Sequence, residues 1–386
     1  MAQKSGNKNY LAHIPTSNEE LWDALVLAYQ MAKRGKMRTA DQHKFEVRWY
    51  ENLRILYFDI IYRTYNPSRS KAFITHNPVD REIFAAPFRD RVVHHLIYGI
   101  CGSWWNRHFI YDSYSCIPGK GTKVGVERIQ HFMRSAVQED KRNGRSGKEV
   151  RVLKRDLSGY FMSLEREVLY KRVMFGLDRQ FPDKGYTYRL MEFLWRKIIF
   201  DDPIEGVRVV GKKSDWEKLP PNKSLFHQPP GKGIVIGNQT SQLLSNIMLD
   251  LLDRYVTIEL GFKRYGRYVD DFIIVATEEE YPAAKEVMME KIPKFLARYG
   301  LRVHPKKIYN QRVGHGVSFL GKYIYLSHIT LGKRTARNFY KAAMDYSHGK
   351  GGEEAIDSYL GMGKYTASAW LNAKVFESVG WRYYYT

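Results

Sequence analysis

Three carboxylates stand where apolar, strand-like runs break. Asp156 ends the run Val150-Arg151-Val152-Leu153-Lys154-Arg155 and precedes Leu157-Ser158-Gly159-Tyr160-Phe161. Asp270 and Asp271 interrupt Arg267-Tyr268-Val269-Asp270-Asp271-Phe272-Ile273-Ile274-Val275, as acids do at the turn of a short hairpin. Carboxylates on a rigid strand end repel one another unless a cation joins them. Two hard cations about 4 Å apart are what in-line attack on a phosphate requires, one at the attacking oxygen and one at the leaving oxygen. The residues therefore outline a nucleotidyl-transfer site. Magnesium keeps several waters and needs only one or two carboxylates besides substrate phosphates, so two strong acids suffice, and no His or Cys cluster in the sequence competes for a softer metal. Taken alone, Tyr-Xaa-Asp-Asp is a weak signal, since an Asp-Asp pair is commonly a solvated turn.

The elements around these acids must position them. Residues 1 to 65 read as helical, with Trp22, Leu25, Val26 and Tyr29 on one stretch and Phe45, Trp49, Leu53, Leu56, Tyr57 and Ile60 on another, until Pro67 stops the pattern. Arg81 to Arg91 forms an Arg-rich segment that runs into a helix expected from Val92 to Ile100, and the turn Pro118-Gly119-Lys120-Gly121 leads into another helix. Lys141 to Lys148 reads as a solvated basic loop. The prolines of residues 201 to 233 argue for an irregular connection. Thr240 or Ser241 is then expected to cap a helix carrying Leu243, Leu244, Ile247, Met248 and Leu251. There is no internal repeat and no low-complexity tract.

Composition narrows the class. The 386 residues are 44% hydrophobic, enough for a large core and for two or three subdomains. Lys and Arg number 62 against 41 Asp and Glu, a formal charge of +21, and such an excess fits a polyanion partner because phosphate contacts release counterions. No apolar run approaches about 18 residues, so no membrane role is expected. Cys101 and Cys116 are too few for a disulfide framework or a Cys-based zinc site and read as small, partly buried hydrophobes. The start Met-Ala-Gln-Lys-Ser-Gly-Asn lacks the apolar core of a signal peptide, which makes a reducing cytoplasm the default.

Order and spacing carry more weight than any one motif. The Arg81 segment, the Pro118 turn, Asp156 with an aromatic residue five positions later, the helix start at Gly237, Tyr268-Val269-Asp270-Asp271, His304-Pro305-Lys306-Lys307 and Phe319-Leu320-Gly321 follow one another. This series resembles the fingers and palm of reverse transcriptases over residues 70 to 325. Within that group, Val235-Ile236-Gly237-Asn238-Gln239-Thr240-Ser241-Gln242 is similar to the reverse transcriptases of diversity-generating retroelements, relatives of the group II intron enzymes that copy a template RNA with errors at adenines. Most intron enzymes carry Pro-Gln-Gly and Ser-Pro there. The Leu225-Phe226 and Pro229-Pro230-Gly231 approach is also similar to that family.

The resemblance implies roles for individual residues. Asp156 and Asp270 would hold two Mg2+ ions, with Mn2+ a possible substitute, the Leu157 carbonyl would complete a site, and Asp271 would support it. Arg81 matches the arginine that contacts the incoming triphosphate, the other reading being a surface salt bridge with Asp80 or Glu82; a fingers lysine has no clear counterpart besides Lys71. Phe161 matches the bulky residue that blocks a ribose 2′-hydroxyl, against the reading of an ordinary core aromatic. Ile236 and Gly237 would border the nucleotide. Lys307, with Lys306 as its rival, matches the lysine that protonates the departing pyrophosphate. Phe319, Leu320 and Gly321 resemble the turn under the primer end, while Lys333, Arg334 and Arg337 lie on an expected helix able to follow a duplex backbone.

The expected fold is α+β: a right-hand polymerase with a ferredoxin-like antiparallel palm, α-rich fingers and a short helical thumb. The expected boundaries are an N-terminal helical extension at 1–65, fingers at 66–150, a palm with a fingers insertion at 151–325 and the thumb at 326–386. The implied activity is RNA-directed DNA synthesis from a template RNA, a DNA or RNA primer and dNTPs, in a cytoplasmic, bacterial or phage-encoded enzyme helped by a small basic ring-forming accessory protein. Such a length leaves no place for an RNase H or endonuclease domain. Two alternatives stand beside this reading. A group II intron-type or antiviral reverse transcriptase should carry Gln where Ile236 stands or a longer basic extension. A non-catalytic RNA-binding scaffold would explain the charge but not three intact acids.

Overall fold

The computed structural model describes residues 14–34, 39–76 and 79–380. The Met1 to Asn7 start, read above for a leader, lies outside them. The chain divides into two compact units. The first comprises Met1–Ile110, Leu157–Tyr255 and Pro293–Val303; the second comprises Tyr111–Asp156, Val256–Ile292 and His304–Thr386.

Helices dominate the first unit. Ser17 caps the helix Asn18–Lys33 by accepting from the Glu20 N–H, and the helix buries Leu21, Leu25, Ala28 and Tyr29 on one stripe. It packs on Phe88–His108, a helix buried along most of its length, where Val92, Val93, Leu96, Ile97, Ile100, Cys101 and Trp105 lie beside the buried polar Asp90 and His94. Burial on several sides marks a helix at the centre of a bundle. The helix is longer than the Val92 to Ile100 pattern suggests, because Pro87 sets its start and buried Gly99 and Gly102 are tolerated inside it. Gln239–Arg254 packs against the same central helix. Its N-cap is Asn238, two residues before Thr240 and three before Ser241, the caps expected; Thr240 instead turns inward to meet Nδ1 of His94 at 2.9 Å. A small sheet pairs Lys71–Thr75 antiparallel with Arg81–Ala85 and parallel with Arg208–Val209.

The second unit is built on a four-stranded antiparallel sheet in the order Tyr265–Tyr268, Asp271–Ala276, Arg151–Arg155, Tyr309–Arg312. Leu153 lies opposite Ile274 on one side and Asn310 on the other. Period-two alternation sends Val152, Ile273 and Val275 to one face. There they pack with Val126, Ile129, Phe132 and Met133 of the helix Thr122–Arg142. A second, three-stranded sheet (Val317–Phe319, Lys322–Ile324, Ile329–Leu331) precedes three helices whose core is Phe339, Ala343, Ile356 and Val375. Cys101 is buried, its thiol pushed up to about 12 by desolvation. Cys116 is exposed, which departs from the buried-hydrophobe reading: it occupies a turn at φ 55°. Among the described residues no helix is long and apolar enough to cross a membrane.

Candidate active site

The hairpin expected around the paired acids is present. Tyr268 pairs with Asp271, so Val269 and Asp270 form the turn, and Val269 sits at φ 54°, a conformation costly for a β-branched residue. The turn is held from below by Arg267, which is fully buried. Its guanidinium donates to the Val269 carbonyl at 2.8 Å and to Ser113 Oγ at 3.0 Å, while its backbone carbonyl accepts from the Tyr114 N–H at 2.9 Å. Arg267 escaped the sequence reading. An arginine between apolar strand residues looks like one more surface cation until burial reveals a brace.

Asp156 follows the neighbouring strand Arg151–Arg155, whose Arg155 pairs with Phe272 next to Asp271. It is 8% exposed. Its carbonyl accepts from the His304 N–H at 2.8 Å, its Oδ2 accepts from the Lys307 ammonium, and its Oδ1 is buried with no hydrogen-bond partner among the described residues. Burial pushes the Asp270 carboxyl up to about 6, with the charges of Asp271 and Asp156 adding to the rise. Asp271 is also raised by burial and by Asp156, against the opposing cations Lys154 and Lys307. Burial alone would lower the Lys307 ammonium, but its hydrogen bond to Asp156 and the other two acids outweigh that and raise it. Lys306 differs in its contact rather than its exposure: its backbone N–H reaches His304 Nδ1 at 3.2 Å, while both lysine side chains are exposed.

A divalent cation fits this donor set. Hard carboxylate oxygens, one of them buried and unpartnered, lie among acids whose ionisation burial disfavours, and a cation would relieve both strains. Among the described residues no group of three or more His, Cys, Asp or Glu side chains is arranged to hold a metal unaided. Magnesium in such surroundings takes its remaining ligands from water and phosphate.

The other nucleotide-contacting candidates lie in the first unit, and backbone bonds draw them together. The Phe84 N–H donates to the Ile236 carbonyl at 3.2 Å, tying the Arg81 strand to the Gly237 turn; the Ile234 N–H donates to the Phe161 carbonyl at 3.0 Å. A Cβ on Gly237 would stand 3.3 Å from the Phe84 carbonyl, and its φ of 126° suits glycine. Ile236 packs with Ala72, Phe84, Met162 and Leu225. Phe161 is half-buried, edge-on to Tyr160 at 5.3 Å, whereas its neighbours Tyr160 and Met162 are buried. Arg81 is exposed and forms no ion pair among the described residues: Asp80 binds His76 at 2.9 Å, and Glu82 points inward, fully buried. Lys71 is exposed at the start of the adjoining strand. Leu157 is buried and bridged to Val303.

Later in the second unit, Leu320 at φ 51° and Gly321 at φ 77° form the tight turn between two strands, with Phe319 buried beneath. The Gly321 carbonyl accepts from Thr335 Oγ1 at 2.8 Å, which fixes this turn to the helix Lys333–Ser347. Lys333, Arg334 and Arg337 are exposed on the first turns of that helix.

No protein-family model matches the sequence, and no curated protein matches it. The structure is similar to apo telomerase of Candida tropicalis, with a TM-score of 0.50 at 12% identity over 82% of this chain, and to telomerase of Candida albicans in complex with a fragment of telomeric RNA, with a TM-score of 0.48 at 14% identity over 83% of this chain. This chain spans little more than half of those chains, 58% and 56%. At this identity the likeness shows the fold alone: helices around small sheets give this chain an α+β fold like that of the Candida tropicalis telomerase chain.

Proposed function

We propose that this chain is an RNA-directed DNA polymerase that makes error-prone, adenine-mutagenic cDNA for sequence diversification by retrohoming, in the manner of diversity-generating retroelements. The observation that carries the polymerase reading is the sheet that sets the hairpin carrying Asp270 and Asp271 beside Asp156, whose Oδ1 is buried without a donor among the described residues. Ile236 ahead of Gly237 carries the error-prone refinement.

Asp156 and Asp270 are the residues that would hold two magnesium ions, with the Leu157 carbonyl and Asp271 in support. When bound, such ions activate the primer 3′-oxygen and neutralise charge on the leaving pyrophosphate. The chain's own groups do the rest. Arg81 offers a planar fork of donors to triphosphate oxygens. Phe161 leaves room beside the sugar for hydrogen but not hydroxyl. Lys307 Nζ holds a proton for the pyrophosphate and is protonated at neutral pH, because the acids around it raise its affinity for the proton. Lys333, Arg334 and Arg337 add positive charge for the template and primer backbones, within a chain of net charge +21. The partners are template RNA, a DNA or RNA primer, dNTPs and a small basic ring-forming accessory protein.

Primer extension with magnesium, an RNA template and dNTPs tests this. Wild-type protein should synthesise DNA and Asp270→Ala should not, while both bind the RNA with nearly equal affinity. Equal synthesis by the two would overturn the metal assignment, and RNA binding without synthesis by wild type would favour a scaffold.

A further inference from the structure

Glu82 is fully buried and has no cation beside it among the described residues. Strand alternation turns it away from exposed Arg81, and the structure gives it three donors from one distant segment. Its Oε1 accepts from Trp216 Nε1 at 2.9 Å and Ser224 Oγ at 2.7 Å, and its Oε2 accepts from the Leu225 N–H at 2.6 Å. A buried carboxylate without a counter-ion persists only when its lone pairs are filled in this way.

The clamped segment leads directly to the sugar-side aromatic. Asn222 Nδ2 donates to Ser158 Oγ at 3.2 Å, and its carbonyl lies so close to Gly159 that a Cβ there would come within 2.4 Å. Leu225 packs with Phe84 and Met162. Beyond it, the Gly233 N–H donates to the Leu164 carbonyl at 2.8 Å and the Ile234 N–H to the Phe161 carbonyl, before Ile236 returns to Phe84. Residues 222–236 therefore touch the Phe161 stretch at both ends and the Arg81 strand at two points, and Glu82 is the charged group at their centre.

Resting on the polymerase reading, we propose that Glu82 is a positioning residue for nucleotide selection: its carboxylate locks the Trp216 to Leu225 segment and thereby sets the Arg81 guanidinium and the Phe161 ring relative to each other. Glu82→Gln keeps the shape but places an NH2 against at least one buried donor. It should weaken dGTP binding about tenfold, the scale of one hydrogen bond lost in a buried site. It should also narrow the preference for dGTP over GTP, with RNA affinity and circular dichroism unchanged. Trp216→Phe and Ser224→Ala, each removing one donor, should shift both quantities the same way by less.

The experiment is equilibrium binding of radiolabelled dGTP and GTP to wild type and the three variants, alongside steady-state extension on an RNA template. A rise in Kd and KM with nearly constant kcat, together with the lost sugar preference, supports the lock; a role in stability alone lowers the active fraction and leaves KM and sugar preference where they were. Wild-type affinity and selectivity in folded Glu82→Gln would overturn it. Should that variant not fold, unchanged selectivity in both single-donor variants would do the same. If wild type binds dGTP yet makes no DNA, the polymerase reading falls while the binding arm still decides the lock; if it binds no nucleotide, both fall.

Discussion

The Lys307 ammonium rests on Oδ2 of Asp156, the carboxylate whose Oδ1 is buried without a partner among the described residues. One residue thus neutralises half of the acid that the proposed chemistry needs most, and it does so with a proton that the acids hold in place. Charge and proton donation are separable here. Arginine keeps the charge but does not give up its proton, its guanidinium staying protonated throughout the working pH range. Single-turnover extension should therefore slow by about 10²-fold or more in both Lys307→Met and Lys307→Arg, the usual scale of general acid catalysis. Near-wild-type rates in the arginine variant would reduce Lys307 to an electrostatic partner of Asp156.

Phe161 is half-buried between two buried neighbours, so truncation removes ring without opening the core. Phe161→Ala should raise rNTP incorporation relative to dNTP, since the space released is that of a 2′-hydroxyl and more. Competition between GTP and dGTP on one template measures the ratio. An unchanged ratio would leave the ring with packing against Tyr160 as its role.

Asp270 is a carboxyl that the fold keeps at a cost. Its pKa is pushed up to about 6 by burial, above the unfolded value of 3.8. Between those values the native state binds more protons than the unfolded chain, so this group lowers stability as pH rises through the window. The full penalty applies above pH 6, and none below 3.8. In chelator, Asp270→Asn should melt a few degrees higher than wild type at pH 7.5, and the difference should vanish near pH 4. Thermal melts across that range check it; a constant difference would mean that the carboxyl is not strained.

Ile236 offers packing but no hydrogen bond, at the position where the resemblance to intron reverse transcriptases would put a Gln able to contact the incoming nucleotide. A missing bond worth ~1 kcal/mol corresponds to about fivefold less discrimination, and weakly paired template adenine should show it most. Ile236→Gln should lower misincorporation opposite adenine more than opposite guanine or cytosine. It should also slow synthesis, because the side chain packs with Ala72, Phe84, Met162 and Leu225. Sequencing cDNA made by both variants from one RNA decides the matter; an unchanged adenine error rate would place the infidelity in other residues or in a partner protein.

Local physics was legible in the amino-acid order. A β-branched and aromatic run broken by two acids reads as a hairpin, and the Val269-Asp270 turn lies where that break falls. Helical periodicity likewise announces Gln239–Arg254, although its cap is Asn238, because the positive-φ Gly237 directly precedes that residue and the helix starts at once after it. Pairings across long stretches of chain were decided only by the tertiary structure. Lys307 finds Asp156 across 151 residues, Glu82 finds Trp216 and Leu225 across 134 and 143, and Arg267 finds Ser113 across 154. In sequence a charged residue next to a strand reads as solvated. Whether it is instead buried and satisfied depends on sheet register and on which segment returns over it, and neither is encoded by the periodicity of neighbouring residues.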